Sequence, residues 1–161
     1  MKKYVVLITL ACFVALSSMS AGAHCEVHAE GVQVKEAWVR ASVPQQRATG
    51  VFMNLESPDG GRLLGAASPV ARVVEVHEMT LGEDGVMRMR EVPAVELPAC
   101  EAGALKPGGY HIMLIDLVEQ LKEGERVPLS LSIETAQGER KTVEVEAEVR
   151  PLTHGAGTAH H

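Results

Sequence analysis

The chain has 161 residues, of which 46% are hydrophobic, 22% charged and only 3% aromatic. That balance suits one globular domain and excludes collagen, coiled coil and wholesale disorder. The formal net charge is −6, which argues against nucleic acid and anionic membrane surfaces, and so few aromatics leave no base-stacking platform.

The chain opens on an address. Lys2 and Lys3 precede an apolar run from Tyr4 to Leu16, then a short polar stretch and Ala21-Gly22-Ala23. This reads as a signal peptide over residues 1–23, cleaved after Ala23, with an apolar run too short to span a bilayer. Without the two lysines the charge falls to −8, from 13 basic and 21 acidic residues. The mature chain then starts at His24 and is expected to be soluble and periplasmic, with no membrane insertion. His24 precedes Cys25 where a lipid-attachment site needs a small residue, so no lipidation is expected. Cys12 leaves with the leader. Cys25 and Cys100 then form either a disulfide or two separate thiols, one able to bind metal.

The body, residues 24–150, reads as strands and turns. Val32–Arg40 alternates, with Val32, Val34, Glu36, Trp38 and Arg40 on one parity. Thr49–Leu55 follows, then a strong turn at Ser57-Pro58-Asp59-Gly60-Gly61. Arg62–Ala67 and Ala71–Thr80 flank Ser68-Pro69, and Val86–Val92 comes after Gly82-Glu83-Asp84-Gly85. Lys106-Pro107-Gly108-Gly109 turns the chain into Tyr110–Leu117. The only helix-like stretch, Val118 to Glu123, is short and stops at Gly124. Val127–Thr135 and Lys141–Val149 close the body. In the last strand Val143, Val145, Ala147 and Val149 alternate with Glu144, Glu146 and Glu148, one face buried and one wet. Short strands at regular spacing predict an all-β sandwich or barrel. Residues 151–161 read as a flexible tail containing His154, His160 and His161.

The methionines and histidines cluster. Met79, Met87, Met89 and Met113 lie in one window, bracketed by His77-Glu78-Met79 and His111-Ile112-Met113. A hairpin centred on Glu83 sets His77 against Met89 and Met79 against Met87, all on one face of the pleat. His111 and Met113 share a face on a strand that could lie alongside. A one-residue slip would break the arrangement. Thioether is a soft, neutral donor, and with imidazole it favours Cu(I) over zinc, calcium or magnesium. Met53, in the run Val51-Phe52-Met53, is read as core filler. Arg88 and Arg90 have the opposite parity to Met87 and Met89 and should face away.

His77, eleven residues, Met89, twenty-one residues and His111-x-Met113 together form a spacing that resembles the PCu(A)C family of periplasmic copper chaperones. Ala37-Trp38-Val39-Arg40, Ala48-Thr49-Gly50, Gly85-Val86-Met87-Arg88-Met89-Arg90 and Leu105-Lys106-Pro107-Gly108-Gly109-Tyr110-His111 look similar too. Glu78 stands where the family pattern can have Met. The resemblance covers about residues 32–150. It implies a cupredoxin-like Greek-key β-barrel or sandwich, with metal ligands falling on His77, Met89, His111 and Met113. It further implies Cu(I) delivery to an acceptor such as a cytochrome c oxidase subunit or a Sco-type protein. Met79 and Met87 are read as an apolar rim or alternative thioethers.

Other readings stand beside this one. Copper storage or tolerance needs the same soft site. A non-metal β-sandwich could dock a protein partner through its Met face. The tail imidazoles His154, His160 and His161 could capture Cu(II). His24 as the mature terminus would offer copper an amine and a ring nitrogen. No Gly-x-Ser-x-Gly elbow or phosphate-binding loop occurs, and the protein is expected to be a monomeric carrier rather than an enzyme.

Overall fold

A computed structural model describes residues 31–155. The expected leader and cleavage point, His24, Cys25, His160 and His161 lie outside the described residues. Ten strands follow in chain order: β1 (Gln33–Arg40), β2 (Ala48–Glu56), β3 (Gly61–Ala67), β4 (Ala71–Leu81), β5 (Met87–Glu91), β6 (Val95–Leu97), β7 (Ala102–Leu105), β8 (Tyr110–Leu117), β9 (Arg126–Thr135) and β10 (Arg140–Arg150). No helix occurs among the described residues. The all-β expectation holds.

The strands pair in the order β5-β4-β8-β2-β1-β10-β9-β3-β6, with β7 also paired to β2. Only β1 and β10 run parallel; every other pairing is antiparallel. The ribbon is folded over a single core. Val39, Val51, Val76, Ile112 and Leu114 of one half share it with Leu63, Leu129, Leu131, Ile133 and Val149 of the other. β9 and β10 supply the clearest alternation. Val127, Leu129, Leu131 and Ile133 are buried opposite Ala147, Val145, Val143 and Lys141, while Glu144, Glu146 and Glu148 face water. Each fully buried Leu or Ile contributes about 1.5–3 kcal/mol by leaving water. Met53, at 2% exposure, packs in this core as its neighbours suggest.

The first strand departs from strict alternation. Gln33, Val34 and Lys35 pair with Glu56, Leu55 and Asn54, but Trp38 and Val39 pair with Phe52 and Val51, one residue out of step. Glu36, at φ 51°, supplies the extra residue. Such a bulge swaps faces. Val34 therefore lies beside core Leu55, whereas Trp38 lies beside Phe52 on the outer face. The predicted single parity from Val32 to Arg40 is thus wrong downstream of Glu36.

Two short strands, β6 and β7, fall in a stretch broken up by Pro93, Pro98 and Gly103, residues of low strand propensity. The Val118–Gly124 segment is a loop. Ser42 holds it by donating its backbone N–H to the Leu121 carbonyl and accepting the Leu121 N–H at its hydroxyl. That plants Leu121 in the core at 2% exposure. At the other end of the molecule, Gly31, Asp59 and Gln137 line a cleft of about 310 Å³ beside the start of β1. Cys100 is disulfide-bonded, with its partner outside the described residues.

Candidate metal centre

The outer face of β5, β4, β8, β2 and β1 carries the unusual chemistry. Period-two geometry sends Val76, Ile112 and Leu114 inward and His77, His111 and Met113 outward from the same strands. β8 lies against β4, and His77 is the direct cross-strand partner of His111, with ring centres 6.0 Å apart. The expectation that the strand of His111 lies beside the hairpin is met.

The hairpin register differs from the one read in the sequence. Met79 pairs with Met89, His77 with Glu91 and Leu81 with Met87. The turn is centred near Asp84, not Glu83, because Gly82 donates its N–H to the Val86 carbonyl and Gly85 to that of Gly82. Partners move by two residues, so parity survives and the methionines keep their face. Arg90 is salt-bridged to Glu78 at 2.6 Å and Arg88 to Asp84 at 2.6 Å. Both arginines are therefore engaged away from the methionines. The same Arg90, with Tyr110, holds the Glu78 carboxyl below its ordinary pKa.

A cavity of about 410 Å³ opens on this face. Met79, Met89, His111 and Met113 line it, together with Phe52 and Arg40. His77 stands next to His111 but is not among the lining residues, and Met87 sits farther along the hairpin at 45% exposure. Met89 is 48% exposed and His111 only 3%. The structure thus gathers one imidazole and three thioethers round the opening, with the second imidazole alongside.

His111 is prepared as a neutral donor. Its Nδ1–H donates to the Gly109 carbonyl at 3.1 Å, since a carbonyl only accepts. Nε2 keeps its lone pair. Burial lowers its pKa most, His77 and Arg40 act in the same direction, and the Gly109 bond opposes them. A lowered pKa keeps the ring uncharged near neutral pH, which is the form that binds metal. His77 is held differently. Its Nε2 lies 2.7 Å from Glu75 Oε2, and its Nδ1 is buried with no hydrogen-bond partner. Such an orphan nitrogen, with the free Nε2 of His111 and the neighbouring thioethers, fits a soft metal ion. Among the described residues no three His, Cys, Asp or Glu side chains could hold a metal, so a site here with more than two side-chain ligands draws on thioether sulfur.

Sequence reasoning assigns no role to three participants. Glu75 shares the parity of His77 two residues away, and that spacing alone puts it on the same face. Arg40 lines the cavity with its guanidinium 5.5 Å from the Phe52 ring centre and its Nε buried without a partner. Phe52 bridges the rings, 6.1 Å from His111 and 4.4 Å from Trp38. Gly50 makes room for it: a Cβ there would lie 2.8 Å from Phe52 Cζ. Of the tail histidines, His154 packs edge-on against Trp38 at 4.6 Å, and its Nε2 lies 2.9 Å from Arg150 Nη1.

The architecture is a cupredoxin-like β-sandwich, and solved structures similar to it are copper domains by description. The copper-bound PCuAC domain from PmoF2 matches with a TM-score of 0.61 at 22% identity, covering 76% of this chain and 94% of that one. The solution structure of CuI-DR1885 from Deinococcus radiodurans matches with a TM-score of 0.59 at 34% identity, covering 77% of this chain and 81% of that one. Its apo form covers 96% and 99% at 32% identity, with a TM-score of 0.57. The family model described as "Putative lipoprotein LpqE-like" matches residues 32–149. The chain belongs to this LpqE-like family of PCuAC-type domains. A curated relative, "Putative lipoprotein Lxx21020" of Leifsonia xyli subsp. xyli, is 34% identical over 106 residues, which are 64% of this chain and 62% of that protein.

Proposed function

We propose that the protein is a periplasmic copper chaperone that binds Cu(I) through His77, Met89, His111 and Met113 and passes it to an acceptor. The observation that carries this is the cavity in which a neutral, buried imidazole with a free Nε2 meets the thioethers of Met79, Met89 and Met113. Soft neutral donors hold Cu(I) in preference to harder divalent ions. Kinship with domains described as copper-bound supports the same metal. Met79 adds a nearby thioether, and Met87 belongs to the exposed hairpin tip with Leu81 and Val86, a surface fitted to meeting a partner.

The acceptor in this reading is a copper site of cytochrome c oxidase, reached directly or through a Sco-type protein. The domain plan is a signal peptide over 1–23, the copper domain over 24–150 and a His-bearing tail over 151–161. The carrier works as a monomer and catalyses no reaction. The tail imidazoles His154, His160 and His161 add a weaker Cu(II) station; truncation at Pro151 should lower Cu(II) stoichiometry, and unchanged stoichiometry would remove that station.

An anaerobic Cu(I) competition titration tests the main site. Mature protein should bind one Cu(I) tightly, and a Met89→Ala, Met113→Ala double variant should lose it. No Cu(I) binding, or binding indifferent to both methionines, would return these residues to packing and make the Met face a partner-docking surface.

A further inference from the structure

We propose that Glu75 is a positioning residue that fixes the tautomer of His77, so that His77 offers Nδ1 to Cu(I) while His111 offers Nε2. The proposal rests on the Cu(I) reading above and assigns the donor atoms within it. A carboxylate accepts hydrogen bonds and does not donate them. With Glu75 Oε2 at 2.7 Å, the ring proton of His77 therefore sits on Nε2. A neutral imidazole has one N–H, which leaves the lone pair on Nδ1. That nitrogen is buried and has no partner. Buried acceptors are seldom left unpaired, and a missing ion is one of the few reasons they are.

His111 shows the mirror arrangement. Its Nδ1–H is spent on the Gly109 carbonyl and its Nε2 is free. Metal-binding histidines commonly donate the non-ligating N–H to a carboxylate or a carbonyl, which orients the ring and raises its basicity. Here one histidine uses each kind of acceptor. The strand register supports this division. His77 lies across from His111, and Glu75 lies across from Met113, so carboxylate, both rings and thioether occupy adjacent positions on one face. Oxygen from Glu75 is not required as a ligand; the carboxylate acts through the ring it holds.

Long-range proton–nitrogen correlation spectra of the whole mature protein, apo and anaerobically loaded with Cu(I), read the tautomers directly. His77 should carry its proton on Nε2, and Cu(I) should move Nδ1 of His77 and Nε2 of His111. Movement of His77 Nε2 would overturn the tautomer assignment alone. Movement of neither His77 nitrogen, with Cu(I) still bound, would remove His77 from the site and overturn both readings. Glu75→Ala should weaken Cu(I) by about ten- to a hundredfold and let the His77 proton redistribute. Glu75→Gln should restore the tautomer and most of the affinity, because the amide oxygen still accepts from Nε2–H. Equal losses in the two variants with the His77 tautomer unchanged would overturn the proposal.

Discussion

The two faces of β8 differ by a single residue of phase. Ile112 and Leu114 are fully buried against the core, while His111 and Met113, interleaved with them, look the other way. The inner face is apolar and belongs to the core that the two halves of the ribbon share. The outer face holds two imidazoles, thioethers and the guanidiniums of Arg40 and Arg150 over a second, smaller ring cluster of Phe52 and Trp38. One strand thus supplies both rigidity and chemistry. The core fixes where the ligand-bearing side chains stand, and those side chains are free to be poor packers.

If the faces divide the labour, substitutions on them should separate stability from metal binding. The largest stability effect belongs inside. Leu114→Ala should cost about 2–5 kcal/mol in urea unfolding, while Cu(I) affinity of the folded fraction stays within about threefold. Gly50→Ala comes next, because its Cβ would press on Phe52 at 2.8 Å. It should cost about 1–3 kcal/mol and alter the near-ultraviolet dichroism of Trp38 and Phe52. A retained spectrum would show that the outer rings do not pack as a unit.

A smaller effect should appear with pH. Burial keeps the folded pKa of His111 below its unfolded value of about 6.5. As pH falls, the unfolded chain takes up this proton first. The stability tied to neutral His111 is intact above about pH 6.5 and is lost as pH falls through the folded pKa. Urea midpoints of apo protein at pH 7.5 and 5.5 should therefore differ less in His111→Gln than in the wild type. The smallest stability change is expected for Met89→Ala, within about 0.5 kcal/mol for so exposed a side chain. Its Cu(I) affinity should nonetheless fall at least tenfold. A variant that loses stability and affinity together would blur the two faces into one.

Much of this division was legible before the structure. Alternation in β10 marks its buried side, and the shared parity of His77, Met79, Met87 and Met89 puts them on one face. What periodicity could not supply was the phase between strands. The 82–86 turn sets the hairpin one residue farther along than Glu83 suggests, which exchanges every cross-strand partner while preserving the face. The bulge at Glu36 has no strong sequence mark, since a non-glycine residue at positive φ is uncommon. It nevertheless decides that Trp38 joins Phe52 and not the core. β6 and β7 are three and four residues long, too short to show a period. Glu75 carries no role in the sequence reading because a carboxylate beside a soft site reads as surface, although its spacing from His77 already sets it on the same face.

The course of β1 also governs how the molecule can be held. The strand starts next to Gly31, in the cleft shared with Asp59 and Gln137, and ends at Arg40, which lines the His/Met cavity. At about 3.3 Å per residue these points lie roughly 25 Å apart. β10 runs parallel to it, so the chain leaves at Arg150 on the cavity side, where His154 covers Trp38. A sensor surface or resin gripping the amino-terminal end would therefore leave the cavity facing solution, and one gripping the carboxyl-terminal end would crowd its mouth.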